Sequence, residues 1–348
     1  MRPRLLAALL CLLLGCGSSL PSSPPPSFSF KWAWAYETGD YIRSTPVVAQ
    51  GLVFIASDDN YLYALDAQGG DLKWRFQAQD NLSSPFVLND LVYVGSWDNN
   101  LYALEVSTGE LRWRHETEGW ITSSATGAGD LIYVGSTDGH LYALQAESGE
   151  LIWRWGPVGP INSSPTLEGE AIFFGSDDHH LYALDARTGA LKWRFQTQGF
   201  VRSSPALSQG LLYVGSEDRH LYALEVKDGS LVWVQETGFA INSSPLVEES
   251  VVYMGSNDGC LYAWEVKRGE PLWRYCADGP IRSSPIIFKG MLFFGSDDNK
   301  LYALEAKSGT LLWRYPTRGD LSTPVIYDDL LYVASLDARL YAFRIAGE

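Results

Sequence analysis

The tetrapeptide LYAL, or a close variant, occurs eight times, beginning at Leu62, Leu101, Leu141, Leu181, Leu221, Leu261, Leu301 and Leu340. Successive copies are 39 or 40 residues apart. A tryptophan keeps step with them, at Trp34, Trp74, Trp113, Trp153, Trp193, Trp233, Trp273 and Trp313. Self-similarity at this period restricts the fold to a propeller, a solenoid or an array. It also sorts the residues. One that recurs in every unit serves the unit, so function is to be sought where a unit departs from its siblings.

The unit from Phe200 to Glu236 reads as four short runs rich in Val, Leu, Tyr and Trp, separated by turns at Gln209-Gly210, Glu217-Asp218-Arg219 and Lys227-Asp228-Gly229. That is strand–turn–strand patterning without a helical period. Four strands per unit and eight units predict an all-β, eight-bladed β-propeller of four-stranded antiparallel blades. A solenoid is the competing architecture, and solenoids cap their terminal repeats. Here the two ends are instead complementary halves. The chain opens with a last-strand motif, Trp32 to Glu37, and closes after a third strand, Leu340 to Ile345. Pairing them completes the eighth blade, closes the ring and protects two sheet edges.

The turn between third and fourth strands carries A-x-D-x-x-T-G-x-x-x-W, complete at Ala183, Asp185, Thr188, Gly189 and Trp193. Gly after Thr suits a left-handed turn position. The register sets Ala183 opposite Trp193, leaving room for the indole. Burying one indole removes about 150–250 Å² from water, a gross stabilisation of about 4–6 kcal/mol. This motif resembles the tryptophan-docking motif of the PQQ-like, quinoprotein-type propeller repeat family, and the resemblance runs from Lys31 to Ile345. The family includes quinone-dependent dehydrogenases. It also includes cofactor-free envelope lipoproteins of the BamB type, which take part in outer-membrane protein assembly.

The N-terminus pairs Arg2 and Arg4 with an apolar run from Leu5 to Leu14, too short to span a bilayer as a helix. The layout fits a signal peptide over residues 1–15. Leu13-Leu14-Gly15-Cys16 resembles a bacterial lipobox, which implies lipidation at Cys16. Residues 16–30 are rich in Pro and Ser and read as a tether, leaving 31–348 for the propeller. Without its two signal arginines the chain has 24 basic residues against 41 acidic ones, a formal charge of −17. This disfavours nucleic acid as a partner and limits membrane contact to the lipid anchor.

Cys260 and Cys276 lie in the sixth unit, on strands sharing a hairpin centred near Arg268. An exported protein permits a disulfide here. The expected register makes them a hydrogen-bonded pair, a less comfortable geometry for bridging, so the bridge stays open at this stage. The pair is not adjacent in sequence and so does not resemble the vicinal disulfide found beside the quinone in some quinoproteins.

Asp59, Asp98, Asp138, Asp178, Asp218, Asp258, Asp298 and Asp337 share one place in the second-to-third strand turn. They are expected to cap backbone amides. His140, His180 and His220 recur at equivalent positions, with His179 alongside. Blade spacing keeps them about 10 Å apart, too far to share a zinc ion. No metal, cofactor or catalytic residue is therefore expected.

The loops between units diverge most. Tyr41, Trp120 and Phe200 precede the inner strands, followed by Arg43, Thr122, Asn162, Arg202, Asn242 and Arg282. Trp97 joins them from a neighbouring turn on the same face. Exposed aromatics with arginines have the composition of an interaction hot spot. Tyr41, Arg43, Trp97, Trp120, Phe200, Arg202 and Arg282 are thus the candidate interaction face.

Three functions follow. The first is a non-enzymatic, lipid-anchored scaffold in the cell envelope, resembling the outer-membrane assembly lipoproteins, with a barrel-assembly complex as its partner. The second is a quinone-dependent dehydrogenase, although every unit is about 40 residues long and none has an insertion to enclose a cofactor. The third is a sensor holding a small anion or glycan at the channel mouth through Arg43, Arg202 and Arg282.

Overall fold

The computed structural model describes residues 28–347. Residues 1–15, expected to be a signal peptide, and Cys16, the expected lipidation site, lie outside the described residues. Eight four-stranded antiparallel sheets form the blades of a β-propeller. Blades I to VII cover residues 47–77, 86–116, 126–155, 166–196, 206–236, 246–276 and 286–316. Blade VIII combines residues 325–347 with the N-terminal strand Phe28–Glu37, which pairs antiparallel with Arg339–Gly347 as the outermost strand.

The tether ends earlier than composition suggested. Phe28, Ser29 and Phe30 are already strand, opposite Gly347, Ala346 and Ile345. The reason is apolar packing: the Phe30 ring stacks on Trp313 at 4.5 Å and meets Phe293 edge-on at 6.0 Å.

Each hydrophobic cluster is built from two adjacent blades. One joins Tyr93 and Leu101 of blade II to Ile132 and Tyr142 of blade III. Another joins Ile55 and Leu65 of blade I to Tyr332 and Leu340 of blade VIII, and so closes the ring. The recurring tryptophans connect the blades at the outer edge. Trp113, opposite Ala103 in blade II, lays its indole on Gly149 in the hairpin turn of blade III and donates Nε1–H to the Ala146 carbonyl at 2.9 Å. Trp74, Trp153, Trp193, Trp233 and Trp273 repeat the bond onto Val106, Ala186, Val226, Val266 and Ala306. Trp34 keeps the ring contact, on Gly70, without the hydrogen bond. Trp313 has no hairpin turn ahead of it, because blade VIII is made of two chain ends, and Phe30 takes the place of the turn.

A second set of links circles the channel. The backbone N–H of Ser124 donates to Ser164 Oγ, Ser164 to Ser204, Ser204 to Ser244 and Ser244 to Ser284, at 2.8–3.1 Å. The repeated Ser-Ser of the inner strands thus links blades III to VII in series, and Thr45 to Ser84 and Ser284 to Thr323 extend the pattern to two more junctions.

The turn aspartates do more than cap. Asp138 Oδ1 accepts the His140 N–H at 2.8 Å, while Oδ2 accepts Tyr142 Oη–H at 2.7 Å and the Glu118 N–H at 2.9 Å. The carboxylate thus ties the turn to the loop that enters its own blade. Burial pushes its pKa up, but the bonds from Tyr142, His140 and Glu118 outweigh that and hold it below the usual value. The Tyr142 phenol moves the opposite way, to about 12, through burial and its bond to Asp138.

Cys260 and Cys276 are directly opposite and disulfide-bonded, with a Cα–Cα separation of 4.0 Å. The expected hydrogen-bonded register is corrected. The neighbouring pair, Gly259 and Ala277, carries the backbone bond, which makes the cysteines a non-hydrogen-bonded pair, the closer of the two spacings. A bulge between Ala263 and Trp264 shifts the parity.

Two outcomes test this architecture. Gly149 and Gly169 both have left-handed φ, at 72° and 58°, but a methyl at Gly149 would lie 2.5 Å from the Trp113 ring and one at Gly169 meets nothing within 4 Å. Both alanine variants carry the left-handed penalty of about 1–2 kcal/mol; Gly149→Ala adds about 1–3 kcal/mol of overpacking. Thermal unfolding should place Gly149→Ala well below Gly169→Ala, and equal melting temperatures would mean that indole docking contributes nothing. Separately, the lowered carboxyls of Asp138 and Asp298 supply stability that is present above the unfolded value near 3.8 and lost as pH falls through the depressed folded values. Urea midpoints measured below pH 4 should therefore fall more steeply for the wild type than for Asp138→Asn.

Candidate functional site

Strand direction places the Asp turns and the loops between blades on one face, around the channel mouth. Here the blades differ. The position before each turn aspartate holds Asp58, Trp97, Thr137, Asp177, Glu217, Asn257, Asp297 and Leu336. Together with the residues that enter the inner strands, these form a hydrogen-bonded arc across blades III to VI. Thr122 Oγ1 donates to Asn162 Oδ1 at 2.7 Å, and Asn162 Nδ2 donates to Asp177 Oδ2 at 3.0 Å. Arg202 donates Nε–H and Nη2–H to the two oxygens of Asp177 at 3.0 and 2.8 Å, and Nη1–H to Glu217 Oε1 at 3.2 Å. Asn242 Nδ2 then donates to Glu217 Oε1 at 2.9 Å, and Asn257 Nδ2 donates to Asn242 Oδ1 at 2.7 Å.

At the blade III end of this arc lies an open depression of about 700 Å³, lined by Trp97, Trp120, Thr122, Thr137, Pro160, Asn162, Asp177 and Arg202. The Trp97 and Trp120 rings stack in parallel, 5.2 Å apart and inclined by 9°. Trp120 is half exposed, at 51%. Of the seven candidate face residues, the structure brings Trp97, Trp120 and Arg202 together here. Phe200 lies beside them, under the Arg202 guanidinium at 4.9 Å and edge-on to His179 at 5.3 Å. Tyr41 and Arg43 stand on the blade I side, where Arg43 shares a smaller recess with Trp97. Arg282 belongs to neither group and pairs with Asp297 in blade VII. Burial pushes the Asp297 carboxyl up, and this outweighs the pull of Arg282. Asp177, Glu217 and Phe239, the last 60% exposed near the same mouth, were missed by sequence reasoning. The first two had a signal: they vary at the position next to an aspartate found in every unit.

Each of the three arginines already has a carboxylate partner. Arg43 bonds Asp58 at 2.7 Å, Arg202 holds Asp177 and Glu217, and Arg282 holds Asp297. Nor do these residues fit a quinone with its metal ion. A hard cation needs several free oxygen ligands, and both oxygens of Asp177 are taken by Asn162 and Arg202. The Cys260–Cys276 disulfide joins the two outer strands of blade VI beside the Asp258 turn, on the mouth face but outward from the channel. His140, His180 and His220 each turn Nδ1 toward the aspartate of their own turn, at 3.2, 3.5 and 3.3 Å.

Comparison with known proteins gives one family. A family model described as outer membrane protein assembly factor BamB matches residues 31–154, 118–237, 162–283 and 276–347. Among solved structures, BamB from Moraxella catarrhalis is 20% identical, with 91% of this chain and all of that chain covered at a TM-score of 0.79. The computationally designed protein Ika8 is 14% identical over 90% of this chain and 99% of its own, at a TM-score of 0.82. Quinohemoprotein alcohol dehydrogenase from Comamonas testosteroni is 16% identical over 90% of this chain and 76% of its own, at 0.74. At these identities the structures share the fold. No curated protein sequence matches the chain.

Removing Arg202 tests whether the arc is a built unit. Arg202→Ala strands Asp177, whose side chain is only 10% exposed, and should lower unfolding free energy by about 1–3 kcal/mol. Arg43→Ala, at a pair whose arginine is largely in solvent, should change it by less than about 1 kcal/mol. Equal effects in urea unfolding would reduce the arc to a set of surface ion pairs.

Proposed function

The chain belongs to the family of the outer membrane protein assembly factor BamB, and we propose that it is a non-enzymatic, lipid-anchored envelope scaffold. It docks a protein of a membrane-protein assembly complex on the channel-mouth face. The observation that carries this reading is the depression between Trp97, Trp120 and Arg202. Its aromatic wall is solvent-exposed, and its polar wall is held in one geometry before any partner arrives. Preorganisation of this kind lowers the ordering entropy lost on binding, and Trp and Arg dominate interface energetics.

Lipidation at Cys16, following a signal peptide over residues 1–15, would attach the protein to the outer membrane. The first described strand starts at Phe28, on the face opposite the mouth, because it runs antiparallel to the third strand of its blade. An anchor on that side leaves the depression facing away from its own attachment point. The ion-paired arginines argue against the anion reading, and the occupied oxygens of Asp177 argue against the quinone-dependent dehydrogenase. A second reading is kept for one observation: the stacked indoles beside Asn162 and Thr137 also suit a neutral glycan.

In-cell crosslinking of the full lipoprotein, with captured proteins identified by mass spectrometry, separates these readings. A barrel-assembly protein should be enriched, and Trp120→Ala with Arg202→Ala should reduce its capture about tenfold or more, as expected of a hot spot. Absence of any enriched envelope protein would overturn the scaffold. A thermal shift with neutral oligosaccharides, abolished by Trp120→Ala, would then favour the glycan.

A further inference from the structure

The outer strand of every blade has one open edge, and the side chains along it are nearly repeated. Blades I, II, III, IV, VI and VII carry an arginine directly after the docking tryptophan: Arg75, Arg114, Arg154, Arg194, Arg274 and Arg314. Cations at such positions discourage edge-to-edge pairing. Blade VIII, whose outer strand is the N-terminal one, has Ala35 there, and among the hairpin blades blade V alone breaks the rule. Its outer strand, Leu231–Glu236, reads LVWVQE, with Val234 in place of the arginine. Leu231, Val232 and Val234 are 49%, 39% and 40% exposed.

Register fixes which backbone groups are free. Thr237 N–H bonds the Arg219 carbonyl at 2.9 Å, so residues 219 and 237 form a hydrogen-bonded pair. Alternation along the ladder then turns Trp233 and Gln235 toward the neighbouring strand, opposite Ala223 and Leu221. Val234 and Glu236 present their N–H and C=O groups to solvent. Glu236 is the one charged residue of the strand, and Arg219 of the same blade holds it at 3.0 Å.

We propose that the outer strand of blade V pairs antiparallel with the same strand of a second copy of this chain, about a two-fold axis at Val234. In that register Val234 faces Val234, and Glu236 faces the Val232 end of the other copy, so no like charges meet. The same register in any of the six arginine-bearing blades sets arginine directly against arginine, which is destabilising. The occupant is thus specified by self-complementarity, and blade V is the one hairpin blade that permits it. Both copies are acidic overall, so they repel at long range, and salt that screens this repulsion strengthens the pairing. A basic strand from another protein would be weakened by salt instead.

Sedimentation of the full chain in mild detergent, across a concentration series at low and high salt, tests the proposal. The expected result is a monomer–dimer equilibrium that favours dimer as salt rises. Val234→Arg restores the sibling residue opposite Tyr222, where six blades already hold Tyr–Arg pairs, and should weaken the dimer about tenfold or more. In the intact envelope, Val234→Cys should be captured as a dimer by a short thiol-specific crosslinker, since a hydrogen-bonded cross-strand pair sits about 5.5 Å apart, while Lys192→Cys in blade IV, which leaves Arg194 in place, should not. A wild-type chain that stays monomeric at all concentrations, or a dimer unchanged by Val234→Arg, overturns the proposal. The cysteine variants decide the question if Val234→Arg does not fold.

Discussion

The indole laid on the next blade's hairpin turn is the contact on which the ring depends. Four-stranded sheets of this size cannot bury both faces alone, and each hydrophobic cluster here draws on two blades. Blade-to-blade registration therefore decides whether a core exists at all. The docking pair sets that registration at the outer edge, with a hydrogen bond for direction and a glycine face for distance. The serine hydroxyls set it at the inner edge. The two sets of links lie at opposite ends of each sheet and fix its rotation about the axis. The eighth junction shows that ring contact matters more than the motif, because Phe30 stacks on Trp313 where no turn is available.

A ring held by closely similar junctions frees the mouth to vary. The turn aspartates stay constant because each accepts a tyrosine hydroxyl of its own blade, and most also bond the following strand and the incoming loop. The residue just before each of them is under no such demand, and the arc from Thr122 to Asn257 is written there. Its polar atoms bond mainly to one another. The mouth therefore carries many charged groups yet offers little uncompensated charge, and recognition through it rests on shape and on the half-exposed Trp120.

The fold was legible because its signals are local and repeated. Ala183 opposite Trp193, the left-handed Gly189 and the closure of blade VIII all follow from turn chemistry and strand parity. Two misreadings have local causes, a bulge that every hairpin blade repeats and an apolar contact that lengthens the first strand. The bulge after Ala263 changed the parity of Cys260 and Cys276. Phe28 and Phe30 extended a strand into a segment whose composition reads as tether. The site was only half legible. Aromatics and arginines can be counted along the chain, but the pairing of Arg202 with Asp177, 25 positions earlier, comes from bringing a loop of one blade beside a turn of the previous one. That contact gives Arg202 carboxylate partners that sequence reading could not supply, and it argues against the anion reading.

The repeat also gives each departure a control within the same molecule. Six blades show what an outer strand looks like when its edge must stay unpaired, which makes Val234 informative in a way that an exposed valine in an irregular protein is not. The same logic applies at the mouth. Leu82 and Leu321 are the buried residues that enter blades II and VIII, equivalent to Ile42, Ile121 and Ile161, and the next position, where other blades place arginine, asparagine or threonine, is missing from these two shorter entries. The polar arc cannot continue where its side chain is lacking. The depression opens where blade II interrupts it, and there two tryptophans replace the hydrogen-bonding groups that elsewhere close the rim. A smooth ring of polar pairs would offer a partner nothing to insert into; the interruption creates both the cavity and its apolar wall.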